Sequence, residues 1–235
     1  RFENLLPGTV EPDVNGSIEV IFDDDQFIVV NKPAPLPLHA SGRFNRNTLQ
    51  YIINETYRPE APLLVHRLDA NTSGVLVMCR KRKVARIIQP QFEKRTVSKT
   101  YLARVAATPA QSSFECTAPI SATPAENGLR LVDDENGLES HTKFEVVRTL
   151  ADGSTLLKVT PLTGRTNQIR LHLWHLGLPI VGDPAYLPNG ETGSNRSLTI
   201  DEPVMCLHAS TISLHDMNGE LRTFHAPDPS WATEN

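Results

Sequence analysis

Three cysteines stand far apart in 235 residues, at Cys79, Cys116 and Cys206. No C-x-x-C occurs, so neither a zinc site nor a redox dithiol is indicated, and a sparse odd count fits a reducing cytosol. No apolar run approaches the roughly 18 residues that would span a bilayer. The N-terminal stretch carries none of the marks of a secretory signal peptide, and it begins with Arg1. Internal repeats, heptads and low-complexity tracts are missing. So are a P-loop, a G-x-G-x-x-G after a strand, and a metal-spaced cluster of His, Cys, Asp and Glu. Nucleotide-cofactor and metal chemistry therefore have no motif to rest on.

Net positive charge is lacking too. The chain carries −4 with a pI near 6.1, which argues against indiscriminate coating of nucleic acid. The average hides a cluster, because residues 80–104 hold nine basic side chains and one acid. That local +8 leaves −12 on the remainder. Such segregation can build a phosphate-binding stripe, with Arg80, Lys81, Arg82, Lys83 and Lys99 as its expected members; it can equally be a solvated helix face.

What is present is dominated by residues 64–75, LVHRLDANTSGV. A carboxylate, Asp69, follows a His-Arg-Leu and precedes small polar residues and a glycine, between two apolar strand-like runs. Such a link turns and caps its own backbone groups. Asp69 is then either a turn residue bonding nearby amides or an acid displayed for chemistry. Two further dense segments are KTYLAR at 99–104 and TGRTNQIRLHLWHLGLPIVGDPAY at 163–186.

Short alternating runs outnumber helical ones. Hairpins are expected for 18–31, 144–161 and 212–224, the last two turning at Asp152-Gly153 and Asn218-Gly219. Helices are expected near 48–55, 84–92 and 167–176. Pro90 should end or kink the second, and Ile169, Leu173 and Leu176 should form the buried face of the third. Residues 109–142 read as loop-rich, with turns at Asn127-Gly128 and Asn136-Gly137. The sum is an α+β chain with a largely antiparallel or mixed sheet. It is expected to form one catalytic domain over 1–235, with residues 1–17 too few for a separate N-terminal RNA-binding domain.

Together, HRLD followed two residues later by TSG, a K-x-Y-x-A strand, and GRT-x-QIR-x-H with a later GD resemble the RluA-type family of RNA pseudouridine synthases. The resemblance runs over about 18–226. It implies the pseudouridine synthase fold, a long bent mixed sheet with a cleft across its middle. It also implies a uridine isomerase acting on structured RNA, ribosomal or transfer, without metal or other cofactor, as a cytoplasmic monomer with no membrane attachment.

By that resemblance Asp69 acts on the ribose, and Arg165 pairs with it. Arg suits this task because its planar fork stays charged and meets a carboxylate with two bonds. Read without the family, Arg165 is a surface residue near a helix start. Tyr101 matches the active-site tyrosine that stacks on uracil and assists removal of its proton; the plainer reading is a half-buried strand tyrosine. Arg67 would fill the space vacated by the extruded base. His66 and Thr72 belong to the substrate-binding segment, although a histidine beside a buried turn often only bonds backbone. Ile169 and Leu207 would wall the uracil pocket, or are plain core. His172 and His175 lack a third ligand and read as packing residues. Position 167 is Asn where many relatives carry His. The other function classes weighed are an RNA-binding module without turnover and a small-molecule hydrolase using Asp69.

Overall fold

The computed structural model describes residues 10–233. The expectations about a signal peptide and about the extreme N-terminus fall partly on residues 1–9, outside that range. Among the described residues, ten strands form one sheet in the order β1-β2-β4-β9-β5-β8-β7-β6, with β10 added on β9 and β3 on β4. The strands are β1 (Glu19–Asp23), β2 (Phe27–Lys32), β3 (Leu63–Leu64), β4 (Ser73–Cys79) and β5 (Ser98–Val105). They continue with β6 (Ser113–Cys116), β7 (Thr142–Thr149), β8 (Thr155–Pro161), β9 (Leu207–His215) and β10 (Leu221–His225). All ladders are antiparallel except β4 with β9, so the mixed, mostly antiparallel sheet agrees with the sequence reading.

β2 and β4 are apolar on both faces because both faces are covered. From Gly74 to Cys79 every residue is buried. The parallel junction is tight. At Gly74 φ is +112°, and a Cβ there would lie 2.2 Å from the Ala209 carbonyl oxygen of β9. Glycine satisfies both the backbone angle and the approach.

Four helices flank the sheet: α1 (Leu49–Thr56), α2 (Arg82–Glu93), α3 (Gln168–His175) and α4 (Ser230–Thr233). Thr48 caps α1 by accepting from the Tyr51 amide at 3.3 Å. Pro90 does not end α2. It removes one donor near the last turn, yet the Lys94 amide still bonds the Pro90 carbonyl, and the helix closes where Arg95 turns to φ +60°. α3 is buried all round from Gln168 to Leu173, whereas Leu176, expected inside, is 39% exposed. The stretch 109–142 is loop-rich as expected; the short β6 lies wholly within it and pairs with β7. No described helix is long and apolar enough to cross a membrane.

Two large clusters form the interior. One gathers β2, β4, α1, α2 and much of β9. The other gathers β5, β7, β8 and α3. Tyr101 of β5 packs against both, so the seam between them runs beside it.

Candidate active site

A cleft of about 300 Å³ opens along that seam. His66, Arg67, Asp69 and Thr72 reach it from the link between β3 and β4, Lys99 and Tyr101 from β5, Arg165 and Ile169 from the start of α3, and Leu207 from β9. Nine of the thirteen side chains singled out from the sequence thus share one cavity. Arg80, Lys81, Arg82 and Lys83 do not line it.

Asp69 sits on an irregular turn, its side chain 31% exposed. The Thr72 amide bonds the Asp69 carbonyl at 3.1 Å, closing the turn that the small polar residues promised. Two residues on, Asn71 is buried and ties this turn to the 196–198 segment.

The cation opposite Asp69 is Arg170, not Arg165. Arg170 Nη1 lies 3.8 Å from the Asp69 carboxylate. Arg165 points its Nε at the Glu139 carbonyl, 3.0 Å away, and forms no ion pair with Asp69. The reason is the geometry at the helix start. Asn167 adopts the left-handed conformation (φ +57°), which asparagine tolerates, and the chain reverses there. Gln168 locks the reversal by accepting from Thr163 Oγ1 and the Arg165 amide, and by donating to the His141 carbonyl and Thr142 Oγ1. Arg165 lies before this turn. Arg170 lies in the first turn of α3, where a cation opposes the helix dipole and calls for anions.

Those anions are Asp183 and Asp69. Arg170 meets Asp183 through Nε and Nη2 at 2.7 and 2.6 Å, with the Asp183 carboxylate fully buried. Its Nη1 also reaches Asn167 and Asn195, each at 3.2 Å, and its guanidinium lies 5.3 Å from the Tyr186 ring centre. Burial opposes the charge on Arg170. The hydrogen bonds and charge of Asp183, with the charge of Asp69, outweigh burial and raise its pKa above the usual arginine value. Asp183 thus fixes the guanidinium, while Asp69 is held at a distance that leaves its oxygens open. The missed residue had a signal in the sequence: an arginine flanked by Ile169 and Leu171 on a buried helix must find carboxylates, and Asp183 follows thirteen positions later.

A second cation lies behind the turn. Lys32 is fully buried and donates to the carbonyls of Pro33 (2.9 Å), Leu36 (3.0 Å) and Ala70 (3.1 Å). Burial pushes its pKa down to about 7, against the pull of Asp69. Its bond to Ala70 anchors the residue next to the acid.

The remaining side chains sort by environment. Tyr101 is half-buried, and burial followed by the charge of Asp69 raises its pKa, so its phenol stays protonated. It can stack and donate; it can accept a proton only by releasing its own. His66 accepts from the Val77 amide through Nε2 at 2.9 Å and stacks on Phe92 with ring centres 4.7 Å apart. Burial first, then Lys99, pushes its pKa down to about 3. It is a neutral brace for the turn at neutral pH. Lys99, expected on the outer stripe, instead forms part of the cleft wall, where burial lowers its pKa. Arg67 is exposed, with no ion-pair or hydrogen-bond partner among the described residues. Arg80 is engaged within the chain, by Asp23 and the Asp24 carbonyl. Lys81, Arg82 and Lys83 stand exposed at the start of α2, whose first turn holds no acid, and none pairs with a carboxylate among the described residues. His172 is a core residue within hydrogen-bond distance of Thr142 and Ser140 side chains.

The chemistry available is that of one accessible carboxylate kept beside a fixed guanidinium, at the mouth of a crevice walled by Tyr101, Ile169 and Leu207. Such a site can act on a sugar carbon or its neighbour while a flat ring stacks inside.

Comparison with known proteins agrees with this geometry. The chain is 32% identical over 211 residues to the ribosomal large subunit pseudouridine synthase C of Vibrio parahaemolyticus, covering 88% of this chain and 65% of that protein. It is 35% identical over 181 residues to pseudouridylate synthase RPUSD2 of Homo sapiens, covering 77% of this chain and 32% of that one. The chain thus spans about two thirds or less of the curated relatives it matches. Among solved structures, human RNA pseudouridylate synthase domain containing 1 superposes with a TM-score of 0.75 at 28% identity, over 96% of this chain and 87% of that one. The family profile described as RNA pseudouridylate synthase matches residues 26–175, a span that holds Asp69, Tyr101 and Arg170, and the chain belongs to that family.

Proposed function

We propose that this protein converts selected uridines of structured RNA into pseudouridine. One observation carries the proposal: the Asp69 carboxylate stands open in a half-apolar cleft, 3.8 Å from a guanidinium whose other side is locked by Asp183. The reaction breaks the bond between ribose C1′ and uracil N1, and makes one between C1′ and C5. C5 loses its proton and N1 gains one, so atoms balance without redox change, metal or nucleotide cofactor.

Asp69 works on the ribose, either by attack at C1′ or by removing the C2′ proton. Arg170 sets a fixed positive charge 3.8 Å from that carboxylate, facing the negative charge that acts on the sugar. Tyr101 stacks on the uracil. Ile169 and Leu207 exclude water and keep the detached ring from escaping. Arg67, exposed at the rim, occupies the gap left by the extruded base, whose extraction costs a few kcal/mol. Lys81, Arg82 and Lys83 oppose the dipole of α2 with no anion paired to them among the described residues, which favours a phosphate backbone as their counter-charge.

The chain acts as one catalytic unit, a monomer in the cytoplasm. Ribosomal RNA is favoured over transfer RNA, because the bacterial relatives are named for the large ribosomal subunit.

RNA transcribed with [5-³H]uridine releases tritium when C5 is substituted, and this assay decides the matter. Wild-type protein should release tritium, and Asp69→Asn should not, while binding RNA within about threefold of wild type. Binding without release by the wild type would establish an RNA-binding module instead. Cleavage of free nucleosides would establish a hydrolase.

A further inference from the structure

Asp69 has a cavity on each side. Behind the partition formed by Arg67, Leu68, Asp69, Thr166, Asn167 and Arg170 lies a second hollow, also about 300 Å³, which shares those six residues with the first. That volume meets the lower bound for a small-molecule site, about 300 Å³. Its far walls come from two loops. Residues 37–44 supply an apolar floor, chiefly Leu38 and Phe44, both buried. Residues 195–197 supply an amide and a hydroxyl from Asn195 and Ser197, and the guanidinium of Arg196, which is itself paired with Glu202 and presents only its remaining N–H groups.

Neither loop is casually placed. The 37–44 loop is tied to α1 through the Pro37 and Leu38 carbonyls, which accept from Leu49 and Gln50. The 195–197 loop is tied to the catalytic turn across more than 120 residues of sequence. Asn71 Nδ2 donates to the Arg196 carbonyl, and Asn71 Oδ1 accepts from the Leu198 amide, both at 2.9 Å. Asn195 Oδ1 accepts from Arg170 at 3.2 Å. The loop therefore keeps register with Asp69 itself. It also lies beyond residue 175, outside the span of the family profile.

We propose that the second cavity is a subsite for the nucleotide adjoining the target uridine, and that residues 195–197 read its base. The inference rests on the reading that the first cleft holds a uridine. When that ribose lies at Asp69, the next nucleotide is one phosphodiester away, and the second hollow begins at the same carboxylate. Arg67 faces both cavities and meets the phosphate between them. The small apolar surface that Leu38 and Phe44 leave open, with the Arg43 guanidinium 5.7 Å from the Phe44 ring centre, forms a floor on which a base can rest, and the polar tips opposite offer partners for its edge.

Tritium release is measured first on transcripts of large-subunit ribosomal RNA and of transfer RNA. The modified uridine is mapped, and its stem-loop is synthesised in three forms: intact, abasic on the 5′ side, and abasic on the 3′ side. One abasic form should lose about tenfold in kcat/KM, within the range that base stacking on a protein platform provides. Ser197→Phe, which fills the hollow, should collapse that preference toward one, as should Arg196→Gln, which leaves its space open. Release from intact RNA with equal rates on both abasic forms overturns the subsite alone. Equal losses on intact and abasic RNA in both variants overturn it as well. No release from any RNA overturns the isomerase reading and the subsite with it.

Discussion

Replacing Arg170 by Met separates its two duties, holding the fold and holding Asp69. The change strands the buried Asp183 carboxylate, which keeps only the amides of Ala185 (2.8 Å) and Tyr186 (3.2 Å) as donors. Breaking a buried pair in this way costs about 3–5 kcal/mol. At about 2–4 °C per kcal/mol for a chain of this size, the melting midpoint should drop by about 6–20 °C. The electrostatic duty is sized separately. A unit charge 3.8 Å from Asp69 is worth about 4 kcal/mol at an effective dielectric of about 20. Because Asp183 screens part of that charge, about three orders of magnitude in rate is a ceiling, and at least one is expected. Adding Asp183→Asn to Arg170→Met removes the stranded charge while its amide oxygen still accepts the two N–H groups. Thermal scans and single-turnover tritium release are run on both variants. The double variant should regain most of the melting temperature and none of the rate. Recovery of rate together with stability would refute the electrostatic role of Arg170. Arg165→Met is the comparison. It gives up a single bond to the Glu139 carbonyl, worth about 0.5–1.5 kcal/mol, so its melting midpoint should fall by about 1–6 °C.

Other outcomes follow from the same geometry. Arg67→Ala should slow the single-turnover rate by about tenfold while RNA affinity changes less than threefold; stopped-flow fluorescence of a 2-aminopurine beside the target reports the base-extrusion step, and an unchanged rate would remove Arg67 from it. Changing Arg82 and Lys83 to Gln should flatten the slope of log affinity against log salt by about 1.4, if each meets one phosphate of a single-stranded segment; an unaltered slope would mark a solvated face. Lys32 gives a pH signature. Its folded pKa lies near 7, below that of the unfolded lysine, so the unfolded chain holds more protons between those values and stability should rise with pH there. Relative to Lys32→Met, the wild type should therefore gain up to about 1.4 kcal/mol per pH unit above pH 7, and nothing below it. A difference that stays flat to pH 9 would mean that the three carbonyls keep the ammonium charged.

The turn at Asp69 was legible because its ingredients are local: small polar residues between two apolar runs, closing on themselves within four positions. Hairpins were legible for the same reason, since their turns and alternation are written in adjacent residues. The identity of the guanidinium was not. Arg165 and Arg170 are five residues apart, and a left-handed Asn167 between them decides which one faces the acid. Nothing in linear spacing announces that φ. Leu176 lies outside because α3 is sunk on every side near its start and emerges at its end, so that no single apolar stripe describes it. Charge along the chain groups Lys99 with its basic neighbours. Strand alternation puts it on the same face as Tyr101, two residues on, and so in the cleft. The second cavity depends on residues 195–197 meeting Asn71, a contact between segments that share no pattern.

Gly74 carries no functional group, yet catalysis is exposed to it. Any side chain there must push against the backbone of Ala209; of the two strands that would part, one is entered through the turn that holds Asp69, five residues before its contact point, and the other bears Leu207, two residues before its own. A lesion at this position would therefore present as an enzyme whose acid and uracil wall have drifted out of reach of each other. Its kinetics would mimic loss of a chemical group that is still there.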